Sequence, residues 1–222
     1  MRHRLGTLLF VIGIGVLAWT ATVYLWKDPF TTAYTAYEQQ RLASNLDRQF
    51  ENWKPSPELV AQPGKPKPEP MRDDISRDAK RFRLSSDDGD AIARLRVPRL
   101  GISIVVINGT DAGDLRRGPG RHRETFMPGE GELVYVAGHR TTYGAPFSDI
   151  DRLETGDSVS VELPYGTIEY RVTRRRIVDD NDLSVLESRS REELVLQACH
   201  PRFFADQRYL VYASPVSISA RS

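Results

Sequence analysis

The chain holds one cysteine, Cys199, at the end of the apolar run Leu194-Val195-Leu196-Gln197-Ala198 and directly before His200-Pro201-Arg202. A single thiol forms no internal disulfide and no multi-cysteine metal cage, so it is either buried and inert or kept free for chemistry. His200, Arg202 and Arg208 all follow within nine residues, and positive charge of that kind favours the thiolate, the attacking form. A thiolate needs a proton carrier. His139 closes the run Glu132-Leu133-Val134-Tyr135-Val136-Ala137-Gly138, which places it at a strand mouth, with Gly138 allowing close backbone approach. His122, in a Gly/Pro-rich loop, and His200, whose side chain would point to the opposite side of an extended strand from Cys199, are the rivals for this role. Arg208 opens the run Tyr209-Leu210-Val211-Tyr212, nine residues after the cysteine. Its guanidinium is always charged and offers a fixed fork of donors to an oxyanion, provided the loop between folds back as a hairpin.

These residues must be positioned by strands. From Ala91 onward the texture is short apolar runs broken by Gly, Pro, Asn and Asp: Ile92 to Val97, Ile102 to Ile107, Glu132 to Ala137, Ser158 to Leu163, Thr167 to Val178, Leu194 to Cys199 and Tyr209 to Ala213. Seven or eight strands in about 130 residues, with brief helices near Gly113 to Arg116 and Pro146 to Ile150, predict an all-β closed barrel or sandwich. Leu163-Pro164-Tyr165-Gly166-Thr167 reads as a hairpin turn, with Gly166 supplying any positive φ.

The N-terminal part differs. Leu5 to Trp26 carries no charged side chain, enough to span roughly 30 Å of hydrocarbon and longer than the ~7–15 apolar residues of a cleaved signal peptide. Arg2 and Arg4 precede it and Lys27 is answered by Asp28, which predicts an uncleaved single-pass anchor with a cytoplasmic N-terminus and everything after it outside. Trp19, Tyr24 and Trp26 fit an aromatic belt at the outer interface. Tyr34, Tyr37, Leu42, Leu46, Phe50 and Trp53 recur at helical spacing, a juxtamembrane helix that packs on the catalytic domain, lies on the membrane, pairs with a copy or acts as a simple stalk. Prolines at 55, 57, 63, 66, 68 and 70 predict an extended spacer holding the domain away from lipid, and the mostly charged or small stretch 71 to 90 reads as a lead-in outside the core with room for a short helix. The expected division is therefore 1–28 cytoplasmic tip and transmembrane anchor, 29–54 juxtamembrane helix, 55–90 linker and 91–222 barrel. Lys and Arg total 31 against 30 Asp and Glu, so nothing marks a nucleic-acid-binding surface. Asp179-Asp180-Asn181-Asp182 lacks EF-hand spacing and is read as a solvated turn, not a calcium site.

The order and spacing of His139, Cys199 and Arg208 resemble those of the sortases. Glu193 to Cys199 is similar to the sortase strand ending T-L-x-T-C, and Val136-Ala137-Gly138-His139 to the family's histidine motif. Gly118-Pro119-Gly120, Met127-Pro128-Gly129-Glu130-Gly131 and Gly138 to Phe147 are similar to class E sortases of high-GC Gram-positive bacteria. The resemblance covers about residues 91 to 217. It implies an eight-stranded sortase-type β-barrel and a cysteine transpeptidase, with Cys199 as nucleophile, His139 as acid/base and Arg208 as oxyanion-stabilising cation, and no cofactor or metal. It further implies cleavage of an LPxTG- or LAxTG-like sorting signal between Thr and Gly, on surface proteins, and transfer to a cell-wall peptide amine or, in a pilin-polymerising enzyme, a pilin lysine. Val195 and Ala198 stand where the family usually has threonines. Tyr143, Ala198 and His200 are the candidate substrate contacts. The rival readings are an L,D-transpeptidase, which lacks support without a His-Gly-Cys segment, a papain-like peptidase, whose cysteine would precede its histidine, and a non-enzymatic β-barrel module.

Overall fold

The computed structural model describes residues 2–25, 29–55 and 72–221. Eight strands close a barrel in the order β1-β2-β3-β4-β7-β8-β6-β5. They are β1 (Ala91–Val97), β2 (Ile102–Asn108), β3 (Gly120–Arg121), β4 (Leu133–Ala137), β5 (Ser158–Leu163), β6 (Gly166–Asp179), β7 (Glu193–His200) and β8 (Gln207–Ala220). Strand β5 alternates in the way its sequence requires: Val159, Val161 and Leu163 are buried while Ser158, Ser160 and Glu162 are partly exposed. The inward set joins Leu95, Val136, Leu196, Val211 and Phe147 in the main core, and burial of this surface is the chief favourable term for folding. Outside, Arg96 pairs across strands with Glu162 at 2.9 Å, a half-exposed contact of small energetic weight.

The Pro164-Tyr165 hairpin forms, with Leu163 opposite Gly166, but its glycine serves another purpose than the expected one. Gly166 has no left-handed φ; a Cβ there would lie 2.5 Å from the Ser219 carbonyl oxygen of β8. Glycine is required by close approach of a third strand.

Among the described residues four α-helices accompany the barrel: α1 (Arg2–Leu25), α2 (Pro29–Asn52), α3 (Arg72–Ser85) and α4 (Ala112–Arg117). Arg4–Thr22 of α1 is the one stretch, among the described residues, long and apolar enough to cross a membrane, and it is exposed throughout. The expected aromatic belt cannot be followed beyond Trp19, since Trp26 and the side chain of Tyr24 lie outside the described residues.

Helix α2 packs on the barrel. Leu42 and Leu46 are buried with Ala91, Val105 and Ile107, and Gln49 Nε2 donates to the Ala91 carbonyl at 3.0 Å. The charged stretch expected to lie outside the core also contributes to it: Ile75, Ala79 and Phe82 of α3, at i, i+4 and i+7, are part of the main cluster. One apolar stripe carries this packing, with Asp78 buried beside it and paired to Arg81 at 3.0 Å. Phe82 meets Trp53 at 5.7 Å and Tyr165 at 5.8 Å between ring centroids, and Arg81 Nη2 donates to the Lys54 carbonyl at 2.7 Å. The expected proline spacer runs from Lys54 to Pro70 and lies outside the described residues from 56 onward, while Trp53 and Lys54 before it and Phe82 and Arg81 after it meet on the barrel.

Candidate active site

Strands β4 and β7 run parallel, with Ala137 opposite Gln197. The Gly138 N–H carries the ladder one step further by donating to the Gln197 carbonyl at 3.0 Å. His139 therefore leaves β4 level with Cys199. On the other side β7 and β8 are antiparallel and Cys199 stands directly opposite Arg208, so facing Cα atoms are ~4.5–5.5 Å apart. The loop between them does fold back.

Period-two alternation settles which face each residue occupies. Leu194, Leu196 and Ala198 of β7 and Tyr209, Val211 and Ala213 of β8 enter the main core. Val195, Leu210, Tyr212, Leu133, Tyr135 and Ala137 form a separate cluster on the outer face, joined by Val178 of β6 and Leu115 of α4. Cys199 and Arg208 carry the parity of this outer set, and His139 continues that of Leu133, Tyr135 and Ala137. Three neighbouring strands thus bring a thiol, an imidazole and a guanidinium to one end of one face, with the thiol in the middle.

Each is held differently. Behind His139, the Phe147 ring fills the space a side chain at Gly138 would need, since a Cβ there would lie 2.7 Å from the ring. The Phe147 N–H donates to the His139 carbonyl at 3.1 Å. The imidazole lies 5.2 Å from the Tyr143 ring at 33°, and burial, then the positive charge of Arg116, holds its pKa below the ordinary histidine value. Cys199 is free and partly buried. Arg208 Nη1 donates to the carbonyls of Ala205 at 2.7 Å and Gln207 at 2.9 Å, and Nη2 approaches the Asp180 carboxylate at 3.8 Å. One carboxylate of the acidic 179–182 turn thus steadies the fork.

Of the three expected peptide contacts, only Tyr143 flanks this face. Ala198 is fully buried in the barrel interior, which corrects the expectation: a side chain with no surface offers nothing to a peptide, and its parity with Leu194 and Leu196 already points inward. His200 likewise turns away from the thiol. Its Nδ1 lies 2.9 Å from Arg140 Nη1, and its ring is 5.8 Å from that of Tyr209. Because a guanidinium only donates, Nδ1 is the acceptor. Arg140, a residue with no role assigned from sequence, is the organiser here: buried, it pairs with Asp151 at 2.9 Å and reaches the Cys199 carbonyl at 3.4 Å. It props the strand end from behind. Its signal was its parity with Val134 and Val136, an arginine placed inward. His122, the other rival, stacks edge-on against Tyr135 at 6.3 Å. A cleft of about 270 Å³ between Leu100–Ile104 and the 144–149 loop borders the segment after His139 but is lined by none of the three residues.

A barrel presenting a free thiol between an imidazole and a guanidinium has the make-up of a cysteine acyltransferase. The chain belongs to the sortase family: the Sortase domain matches residues 95–216. It is 32% identical over 135 residues to Sortase D of Bacillus subtilis (strain 168), covering 59% of this chain and 67% of that protein. It is 27% identical over 168 residues to Sortase SrtE1 of Streptomyces coelicolor, covering 68% of this chain and 47% of the relative. Among solved structures, sortase E1 from Streptomyces coelicolor with a tripeptide in the active site superposes with a TM-score of 0.57 at 26% identity, over 62% of this chain and 94% of that one. A Clostridium perfringens Sortase D5 transpeptidase shares the fold, with a TM-score of 0.65 at 20% identity over 82% and 99% of the two chains. The likeness spreads over sortases named D and E, wider than the class E block around His139 implied. The chain is a cysteine transpeptidase of this family.

Proposed function

We propose that this sortase is anchored by α1, with its barrel outside the cell, and cleaves an LPxTG- or LAxTG-like sorting signal between Thr and Gly. Cys199 is the nucleophile, His139 the acid/base and Arg208 the oxyanion-binding cation. The observation that carries the reading is the register: Cys199 faces Arg208 across β7 and β8 while His139 leaves the adjacent β4 on the same face.

The Cys199 thiolate adds to the Thr carbonyl carbon, and the oxygen takes up the negative charge beside the Arg208 fork. Collapse breaks the Thr–Gly C–N bond. The departing Gly amine takes the proton of the His139 imidazolium, leaving a thioester on Cys199 and a neutral imidazole. A cell-wall peptide amine then attacks the thioester, gives its proton to His139, and expels the thiolate. The products are a new amide and the starting enzyme, with no cofactor consumed. Substrate and lipid-linked acceptor both reside at the outer leaflet, where a tethered enzyme meets them at raised effective concentration. The cytoplasmic N-terminus follows from Arg2 and Arg4 ahead of the apolar stretch.

The test is intact mass after incubation with LPxTG and LAxTG peptides. Wild type is expected to gain the acyl mass of the peptide up to Thr, and Cys199→Ala to gain nothing. No adduct on wild type across a graded series of such peptides overturns the assignment.

A further inference from the structure

Helix α2 begins four residues after α1 ends, and its first two turns are embedded in the surroundings of His139. The Tyr143 N–H donates to Thr31 Oγ1 at 3.0 Å. The Tyr34 ring meets the Tyr143 ring edge-on at 6.5 Å. Thr35, only 4% exposed, donates its hydroxyl to the Arg116 carbonyl at 2.8 Å. The two residues gripped in this way are the two that flank the imidazole. Tyr143 lies against His139, and the Arg116 guanidinium sits 5.8 Å from the Tyr143 ring centroid. Tyr143 has φ 51, a left-handed backbone that a bulky side chain adopts only when its surroundings impose it. The hydrogen bond from its amide to Thr31 is one such constraint.

The grip is rigid because the rest of α2 is bound to the barrel. Gln39 acts as a strand neighbour for β2: its Oε1 accepts from the Val105 N–H at 2.8 Å and its Nε2 donates to the Val105 carbonyl at 3.1 Å. The same Nε2 donates to the Arg117 carbonyl at 2.9 Å. Asp47 pairs with Arg94 at 2.9 Å.

We infer that α2 forms one wall of the active site, with Thr31 and Thr35 as positioning residues that fix Tyr143 and Arg116 around His139, so that the segment leaving the membrane sets the imidazole's environment. This rests on the role proposed for His139 and goes beyond it. The groups around that ring are Arg116 from α4, Tyr143 on its own loop, Cys199 on β7 and, one strand further, Arg208. Loosening α2 moves the Arg116 cation away, and withdrawal of a like charge raises the histidine pKa.

The experiment uses the full chain in detergent, with Thr31→Val, Thr35→Val, the double variant and Thr31→Ser. Thr31→Val is expected to speed hydrogen exchange at the Tyr143 amide at least about tenfold. The double variant is expected to shift the His139 titration, read by NMR, to higher pH. It should lower kcat about tenfold with KM within about twofold, as a misplaced acid/base does. Thr31→Ser keeps the hydroxyl and should behave as wild type. A helix that merely adds stability would lower Tm and leave the His139 titration and the pH profile unmoved, and that result overturns the inference. Where the double variant does not fold, Thr31→Val alone decides by the same amide and imidazole readouts. Both are taken without substrate, so they stand apart from any failure of the transpeptidase reading.

Discussion

The two faces of the β4-β7-β8 sheet are made from the same strands and do opposite things. Inward, Leu194, Leu196 and Ala198 alternate into the main core. Outward, Val195 joins a smaller cluster, beyond which the same face of the strand continues through Gln197 to Cys199. The inner face is closed and interchangeable only by volume. The outer face runs out of cover at the strand end, where β7 leaves its thiol partly exposed. Neighbouring residues on one strand therefore serve stability and chemistry almost independently, because a pleated strand sends them in opposite directions.

That separation can be broken by substitutions on either side. The largest effect belongs to the outer face. Arg208→Lys keeps the charge but loses the fork, and is expected to lower kcat/KM about 10²- to 10³-fold, or ~3–4 kcal/mol of transition-state stabilisation. Iodoacetamide should still alkylate Cys199 in that variant, and Tm should stay near wild type. A large Tm loss would mean that Arg208 holds the hairpin together through its bonds to Ala205 and Gln207, and the two faces would not be separable. Next is the inner face. Leu196→Ala, at a site 1% exposed, should cost about 3 kcal/mol in denaturant unfolding through lost burial and a cavity. Well below the unfolding transition its kcat/KM should remain within a few-fold of wild type. A hundredfold loss there would show that core packing sets the position of Cys199 directly.

Most of this arrangement was legible because it rests on period two. The seven runs read from alternation correspond to seven of the eight strands, and Cys199 and His139 closed recognisable runs while Arg208 opened one. Strand β3 was not legible: Gly120–Arg121 is two residues in a Gly/Pro/Arg loop, and it exists only because β2 and β4 are there to pair with it. The packing of helix α3 was hidden by composition, since four apolar residues among ten charged or polar ones read as a lead-in with a short helix at most, until a barrel supplies the surface for three of them. For α2 the periodicity was visible but not its target, because an apolar stripe fits a lipid surface, a second copy or a barrel equally well. Gln39, which ties α2 to the edge of β2, is an ordinary polar residue in the sequence. The misassigned contact at Ala198 had a readable signal, its parity with Leu194 and Leu196.

The smallest effect sharpens the comparison from the side of His139, which is neither fully inside nor outside. Burial and Arg116 place its folded pKa below the ordinary value of 6.5, so the native state resists the proton that the unfolded chain accepts. The stability this contributes is complete above about pH 6.5, the unfolded value. It is lost as pH falls toward the folded pKa, because there the unfolded state binds more protons. Thermal unfolding of wild type should therefore show a Tm that declines on acidification from roughly pH 7.5 to 5.5. His139→Gln, which cannot take up a proton, should show a shallower decline over the same range, since carboxylates contribute equally to both proteins. Equal slopes would place the imidazole in a watery, uncrowded setting, and the packing of Tyr143 and Arg116 around it would then have no electrostatic consequence.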